Sequence, residues 1–424
     1  MNWKNQPAGV LGSLLLIHLL AHVDRNMLLG FSPQIVADLQ ISHTQYGFLV
    51  GAAWVLSFGV MAVVLGSLAD RYSRTRIMAA GVFVWSLCTW ASGHARSFED
   101  MALARFFVAS GEAALVPAAM SLLAELFSRQ RLGSALGVFF MGIPLGVGCS
   151  FLLAGTLGAS QGWRWTFYAL GIAGMAVAAL LASLPDRRSD LAPQDRGAPP
   201  GQQWRTVRDA LRSQPALGLL ITGFVLLNLL FAGLSFTQLW LVRERGMEAA
   251  TVATRIGALQ LVFGTLGSLA GGLLGDRLAH RLPGGHASVI ALLIAVCAAP
   301  MVAYRFAPPG SALFYLGMCA GFFLPLATYG SANAAIIGMV PPQTRSTVSG
   351  LSMLCINLFA IAIGNLAAGK AVDLLTARGV TQPLTWVVLS TDLLALSAIV
   401  LFALAARLGR AQPPALHQTL RQAH

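Results

Sequence analysis

The chain has 424 residues, of which 56% are hydrophobic and only 10% are charged, and its formal net charge is +12. A soluble globular protein carries roughly 25% charged residues, so this composition argues against a soluble enzyme, a nucleic-acid-binding protein and a disordered chain. We therefore predict an all-α integral membrane protein, because a helix satisfies its own backbone hydrogen bonds in lipid.

Hydropathy predicts twelve membrane-spanning helices of about 20 residues or more. One long interruption, 185–214, contains four prolines, six arginines and four aspartates, and this composition is typical of a cytoplasmic linker. We expect an amino-terminal six-helix bundle at 1–184 and a carboxy-terminal six-helix bundle with a short cytoplasmic tail at 215–424. The predicted spans, numbered one to twelve, are 9–31, 44–69, 77–95, 99–125, 133–158, 164–184, 215–241, 252–275, 286–305, 311–338, 346–370 and 384–407.

The distribution of lysine and arginine predicts that both termini are cytoplasmic. With the amino terminus inside, 18 cations lie on the cytoplasmic side and seven lie outside, which follows the positive-inside rule. The seven predicted outer cations are Arg96, Arg164, Arg243, Arg245, Arg255, Arg305 and Arg378. The first apolar stretch carries His18, His22, Asp24 and Arg25, so we interpret it as a retained helix and not as a signal peptide. The Arg-rich, Lys-poor composition is typical of a GC-rich bacterial genome, and we expect a bacterial plasma membrane.

The chain contains an internal repeat. The segment 66–71, Gly-Ser-Leu-Ala-Asp-Arg, returns as Gly-Leu-Leu-Gly-Asp-Arg at 272–277, which is 206 residues later and again ends the second helix of a half. Pro117 of span four matches Pro325 of span ten at a distance of 208 residues. Parallel duplication of a six-helix unit is a known transporter design, and these matches favour it.

Three short motifs resemble those of one transporter family. The segment between spans two and three, Gly66-x-Leu68-Ala69-Asp70-Arg71-x-x-Arg74-x-Arg76, resembles the signature loop of the major facilitator superfamily. Asp24-Arg25-Asn26 in span one and Arg105-Phe106-x-x-x-x-Gly111-Glu112-Ala113 in span four together resemble the Spinster-like lipid transporters. They also resemble the neighbouring organic anion:proton symporters. The resemblance implies a secondary transporter that works by alternating access, with no enzymatic activity and no cofactor.

Predicted spans one and four each carry two charged residues away from their ends, where a charge costs at least about 3 kcal/mol on insertion scales. Arg105 and Glu112 are seven residues apart, so two helical turns bring them to one face of span four. We predict that Asp24 and Glu112 carry protons and that Arg25 and Arg105 tune them; by resemblance these are the coupling residues. The alternative is a static buried ion pair that fixes helix packing.

The signature loop predicts a cytoplasmic gate. Its carboxylate and arginines can form a charge cluster that breaks when the two bundles move, and by resemblance this loop stabilises the outward-facing state. The alternative is that these residues only set topology. The predicted gate residues are Gly66, Asp70, Arg71, Arg74 and Arg76, with Asp276 and Arg277 of the second copy.

Polar residues in apolar surroundings are candidates for substrate binding. His22 shares a helix face with His18 and Arg25, because it lies four residues after His18 and three residues before Arg25. An oily cavity with a charged side suits a lysolipid or similar amphiphile; the alternatives are an organic anion or a multidrug exporter's substrate. We expect no metal and a monomer, and we expect the deep acid Asp392 to face a cavity or contact a neighbouring Thr or Ser. The substrate-binding candidates are His22, Asn228, Gln238, Tyr329, Asn333 and Asn357.

Overall fold

The protein is an all-α membrane protein, as the sequence predicts. The computed structural model describes residues 7–69, 74–113, 115–182, 208, 211–212, 214–340 and 344–411. Within these residues, ten helical stretches are long and apolar enough to cross a membrane. Predicted spans three and four are also helical, although they do not belong to those ten.

Several spans are built from consecutive helices separated by a turn or by a π-helical segment. In the first half, span two contains the π-helical segment Phe48–Ala52, and span six bends at Gly162, where φ is 84°. The helices of spans one to six, with the short connecting helix Ser32–Asp38, are Pro7–Gly30; His43–Gly47 and Ala53–Ala69; Arg74–Ser92; Phe98–Glu112 and Leu115–Leu126; Arg129–Phe140 and Gly142–Gly155; and Leu157–Ala182.

The second half repeats this pattern. Span eight contains the π-helical segment Gln260–Gly264, and span eleven contains a longer one, Ile356–Ile363. The helices of spans seven to twelve are Pro215–Arg243; Ala249–Leu259 and Thr265–Arg281; Gly285–Ala303; Ala312–Gly338; Arg345–Cys355 and Gly364–Ala377; and Pro383–Leu396 and Ala398–Ala411.

Helix starts also recur between the halves. Ser97 caps the first helix of span four by accepting a hydrogen bond from the backbone N–H of Asp100, and Ser311 caps span ten in the same way. These two caps are 214 residues apart, and the π-helical segments of spans two and eight begin 212 residues apart. A side-chain oxygen at the N-cap satisfies backbone donors that the helix leaves unpaired. The structural repeat therefore extends beyond the sequence matches.

Backbone contacts group the chain into two compact units. Unit one contains the described residues of Met1–Ala192, Ala232–Thr265 and Ile361–Val388. Unit two contains those of Pro193–Phe231, Leu266–Ala360 and Leu389–His424. Each has an apolar core, around Trp85 in unit one and around Phe224 and Phe402 in unit two. The division into 1–184, 185–214 and 215–424 stays a prediction from the sequence.

Unit one joins parts of spans seven, eight and eleven to the first six spans at the end of the bundle that the arginine distribution predicts to be outside. We call this the outer end. A Cβ atom on Gly257 of span eight would lie 2.7 Å from the backbone nitrogen of Leu152 in span five. A Cβ on Gly51 of span two would lie 2.5 Å from the carbonyl oxygen of Ile361 in span eleven. Backbones therefore touch at the outer end, and glycine permits the approach.

Candidate functional site

Asp24 is a fully buried acid on span one, with 0% of its surface exposed. Trp85 and Thr89, both on span three, adjoin its carboxyl group. Within the described residues, neither carboxyl oxygen of Asp24 has a partner at hydrogen-bond distance. A carboxylate buried in this way is costly to ionise, because it loses water and the donors beside it, the Trp85 indole and the Thr89 hydroxyl, do not come within hydrogen-bond distance.

Glu112 is the second buried acid, and a tryptophan links it to Arg25. The indole Nε1 of Trp54 in span two donates a hydrogen bond to Glu112 Oε2 over 2.7 Å. The guanidinium of Arg25 lies 3.6 Å from the centre of a Trp54 ring. The electron-rich face of an aromatic ring attracts a cation, so Trp54 contacts one group of each charge.

Arg105 joins span four to the backbone of span one. Its Nη2 donates to the carbonyl oxygen of Arg25 over 2.9 Å, and its Nη1 donates to that of Asp24 over 3.3 Å. These hydrogen bonds go to carbonyl groups and not to the carboxylates that the sequence suggested as partners. Arg105 therefore holds the two spans together as well as adding a positive charge beside the acids.

Gly111 allows the acids and arginines to come together. A Cβ atom at this position would lie 2.5 Å from the carbonyl oxygen of Gly81 and 2.8 Å from the backbone nitrogen of Trp85, both in span three. Spans three and four are therefore in backbone contact directly beside Glu112. The structure brings the predicted residues Asp24, Arg25, Arg105 and Glu112 into one cluster within unit one, to which Trp54 also belongs.

The two histidines of span one lie against span five. The ring of His18 stacks on Phe139 with centroids 4.3 Å apart, and its Nδ1 donates to the Phe139 carbonyl oxygen over 2.9 Å. His22 meets His18 edge to face at 4.9 Å and is half-buried. A Cβ on Gly146 would lie 2.5 Å from the Cβ of His22. His18 is therefore a packing residue, while His22 stays a candidate.

The remaining substrate-binding candidates fall into both units. In unit one, the Nε2 of Gln238 donates to the carbonyl oxygen of Gly30 over 2.6 Å. In unit two, the amides of Asn228 and Asn333 each donate to a carbonyl oxygen of their own helix. Tyr329 donates to the sulfur of Met353 over 3.3 Å and packs against Phe224. Asn357 is half-buried in the π-helical segment of span eleven.

Most of the predicted gate lies outside the part of the chain that the structure describes. Asp70 and Arg71 are outside the described residues, as are the side chains of Arg74 and Asp276. Gly66 belongs to helix Ala53–Ala69. Arg76 and Arg277 are exposed near the ends of spans three and eight. Their role as a gate stays a prediction.

A polar contact that the sequence did not indicate lies at the outer end of unit one. The carboxylate of Asp373 in span eleven accepts hydrogen bonds from both the backbone and the side chain of His43 and of Thr44. Nη1 of Arg243 in span seven lies 3.1 Å from Nε2 of His43. Both ring nitrogens of His43 therefore contact a charged neighbour, Nδ1 the carboxylate and Nε2 the guanidinium. We call the Asp373–His43–Thr44 set the outer-end polar contact.

Asp392 has a different environment from the expected one. Nε of Arg305 donates to Asp392 Oδ2 over 2.8 Å, and the two side chains are 2% and 3% exposed. The guanidinium also lies 4.4 Å from the ring centre of Tyr304. The expectation of a cavity or of a Thr or Ser contact was wrong, because Arg305, predicted as an outer-loop cation, is buried within unit two and supplies the charge.

Outside the spans, Asp38 has a clearly perturbed ionisation. The hydrogen bond from Arg164 holds the pKa of Asp38 below its ordinary value, and the indole of Trp163 also donates to this carboxylate. Arg164 further donates to the carbonyl oxygen of Ala95 over 3.0 Å. These hydrogen bonds link the segment after span one, the end of span three and the start of span six. Within the described residues, no group of three or more His, Cys, Asp or Glu side chains could hold a metal ion.

Comparison with known proteins identifies relatives along most of the chain. The family model described as the Major Facilitator Superfamily matches residues 14–365. An MFS-type efflux pump of Mycolicibacterium smegmatis is 29% identical over 86% of this chain and 84% of its own length. Protein spinster of Drosophila melanogaster is 26% identical over 80% of this chain and 58% of its own length. The sphingosine-1-phosphate transporter SPNS2 of Xenopus tropicalis is 29% identical over 42% of this chain and 36% of its own length.

A solved structure shares the fold. The crystal structure of a bacterial homolog of the human lysosomal transporter Spinster, in an inward-facing and unoccupied conformation, superposes with a TM-score of 0.81. The match covers 96% of this chain and 99% of that one at 22% identity.

Proposed function

Because the chain belongs to the Major Facilitator Superfamily and has Spinster-like relatives, we propose that it is a proton-coupled transporter of a lysolipid or related amphiphilic lipid. It is a multi-pass membrane transporter and not an enzyme. In the proposed cycle the protein alternates between states open to either side, and protonation of Asp24 and Glu112 accompanies the exchange.

The observation that carries this proposal is the buried carboxyl group of Asp24, which has no hydrogen-bond partner among the described residues. Glu112, Arg25 and Arg105 complete the charged cluster around it. An ionised acid in such a place costs several kcal/mol, whereas a proton removes that cost. A rearrangement that changes the water, donors and charges around the cluster therefore changes its affinity for protons. This links the state of the transporter to the proton gradient.

A lipid is the substrate class that the cluster and the relatives support together. One Spinster-like relative is named a sphingosine-1-phosphate transporter. An organic anion would bind to guanidinium N–H groups, and Arg105 already uses one N–H of each terminal nitrogen on a backbone carbonyl group while the face of Arg25 is covered by Trp54. An amphiphile instead needs polar groups beside apolar surface, and Tyr329 beside Phe224 offers such a pair.

The test is flux into proteoliposomes under an imposed pH gradient, comparing a labelled lysophospholipid with a labelled small organic acid. Glu112→Gln removes the proposed proton carrier. Glu99→Gln is the matched control, because Glu99 is an exposed acid in the first turn of the same helix. We expect lysolipid flux that follows the gradient in the wild type and in Glu99→Gln, and that loses its gradient dependence in Glu112→Gln.

Other outcomes contradict specific parts of the proposal. Flux of the organic acid alone would replace the lipid by an anion as substrate. Lysolipid flux that is indifferent to the gradient and to Glu112→Gln would show that the cluster is a static structural element. Equal loss in both variants would exclude a special role for Glu112.

Export of drug-like amphiphiles is the second candidate, because the mycobacterial relative is named an efflux pump. The same proteoliposomes can be loaded with a lipophilic fluorescent dye. Gradient-driven dye movement that lysophospholipid does not compete with would favour this candidate over the lipid.

The proposed setting is a bacterial plasma membrane with a monomer whose two termini are cytoplasmic. The excess of arginine on one side of the predicted spans supports this orientation. Fluorescent-protein fusion to the carboxy terminus should give a fluorescent product, whereas alkaline phosphatase fused there should be inactive; the reverse result would invert the orientation.

A further inference from the structure

Trp54 touches both charged partners of the cluster with different parts of one side chain. Its Nε1 donates to Glu112 Oε2 over 2.7 Å, and its ring lies under the guanidinium of Arg25. Phe58, one turn further along span two, stacks on it with centroids 4.5 Å apart. The ring is buried and held in place by this stack, so the donor is fixed in direction.

Each of these contacts favours a charged form of the cluster. A hydrogen bond to an ionised acceptor is about twice as strong as one to a neutral acceptor, so the indole N–H stabilises the carboxylate of Glu112 more than its acid. The ring face stabilises the positive charge of Arg25. The other groups that face Glu112 are Asp24 on span one and Arg105 on its own helix, with Cys88 of span three beside Arg105.

Trp54 also lies close to the outer-end contact between spans two and eleven. Gly51, three residues before it, is in backbone contact with Ile361, and Asn365 is its other neighbour. The two positions flank the end of the π-helical segment Phe48–Ala52, and such segments occur frequently at functional sites. A shift of span two away from span eleven would therefore move the segment that carries Trp54.

We propose that Trp54 is a positioning residue that couples the separation of spans two and eleven to the proton affinity of Glu112. When the spans are in contact, the indole N–H and the Arg25 guanidinium are held at Glu112. When span two moves away from span eleven, the indole N–H withdraws from Glu112 and the ring withdraws from Arg25, so the carboxylate gains a proton more readily. This inference rests on the proposed function, because it assumes that Glu112 exchanges protons during the cycle.

The experiment measures amide hydrogen exchange at the outer end across a range of pH, in the full-length protein in nanodiscs. The amides of His43 and Thr44 report whether the outer end is open, since Asp373 accepts their hydrogen bonds. After correction for intrinsic exchange, we expect a midpoint in the opening that is absent from Glu112→Gln. Trp54→Phe keeps the ring and removes only the donor, and it should move the midpoint to higher pH by about one unit.

A control and a second variant keep the result interpretable. Trp165→Phe makes the same chemical change at an exposed ring and should leave the midpoint in place. Trp54→Leu removes the ring face as well and should move the midpoint further than Trp54→Phe does. An unmoved midpoint in both Trp54 variants, an equal shift in Trp165→Phe, or no midpoint in the wild type would overturn the inference. The readout needs no substrate, so a missing lipid flux would contradict the proposed function separately.

Discussion

Replacing Asp373 by asparagine tests how much the outer-end polar contact contributes to keeping the outer end closed. Oδ1 of Asp373 accepts from the backbone nitrogen and Nδ1 of His43, at 3.1 and 2.8 Å. Oδ2 accepts from the backbone nitrogen and Oγ1 of Thr44, at 2.8 and 2.6 Å. Asparagine retains one oxygen, so the N–H of Thr44 loses its acceptor and faces a donor, whereas the Thr44 hydroxyl can turn to accept from that donor.

The size of the effect follows from these bonds. A hydrogen bond to a charged group contributes about 1.5–3 kcal/mol. The side chain of Asp373 is 31% exposed, so water competes and the lower end applies. The lost bond of Thr44 and the weakening of the remaining bonds, which no longer go to a charged acceptor, together cost about 2 kcal/mol, which is roughly a 30-fold change in the opening equilibrium.

Hydrogen exchange resolved to single amides measures this change directly. The first amides of a helix have no partner within it, so those of His43 and Thr44 depend on Asp373. Gln45 is an internal reference, since its amide donates to Ser42 Oγ of the same segment. We expect exchange about 30-fold faster at His43 and Thr44 than in the wild type, with a smaller change at Gln45. Unchanged exchange at His43 and Thr44 would refute the reasoning.

Two further predictions concern packing and are measured by chemical unfolding in detergent. Asp392→Ala removes the carboxylate that pairs with buried Arg305 and should lower the free energy of unfolding by about 3–5 kcal/mol. The double variant Asp392→Leu with Arg305→Met should recover most of this loss. A double variant as unstable as the single one would contradict the argument. Gly257→Ala places a Cβ 2.7 Å from the backbone nitrogen of Leu152 and should cost about 1–3 kcal/mol. Gly272→Ala, on the same span with no atom within 4 Å, should cost nothing; equal losses in both would show that the close approach is unimportant.

Hydropathy predicts the spans well because lipid permits little besides helices. The same environment makes charged residues within spans conspicuous, since each one is costly there. Asp24, Arg25, Arg105 and Glu112 could therefore be selected from the sequence, and the structure brings them together. Their partners could not be selected: Arg105 binds carbonyl oxygens, which every residue has and no sequence pattern distinguishes.

Residues near the ends of spans were the hardest to interpret. His43, Asp373 and Arg305 look like ordinary polar residues beside a helix end. Arg305 was counted with the outer-loop cations, yet it is buried against Asp392, which lies 87 residues further along the chain. Asp373 meets His43 across 330 residues. Only the folded chain brings such positions together, so periodicity within one helix carries no information about these contacts.

The contact between Trp54 and Glu112 could not be predicted from the sequence, because a π-helical segment directly precedes Trp54. A buried indole N–H needs an acceptor, but the chain has nine tryptophans and the sequence does not indicate which of them are buried. In a regular α-helix, Gly51 and Trp54 would lie on one face, because residues three apart are neighbours. The π-helical segment Phe48–Ala52 changes the turn between them, and Gly51 contacts span eleven while the indole of Trp54 contacts Glu112 in span four. Gly51 therefore packs against span eleven, while Trp54, three residues later, contacts the charged cluster. A sequence pattern based on 3.6 residues per turn would assign both residues to the same helix face.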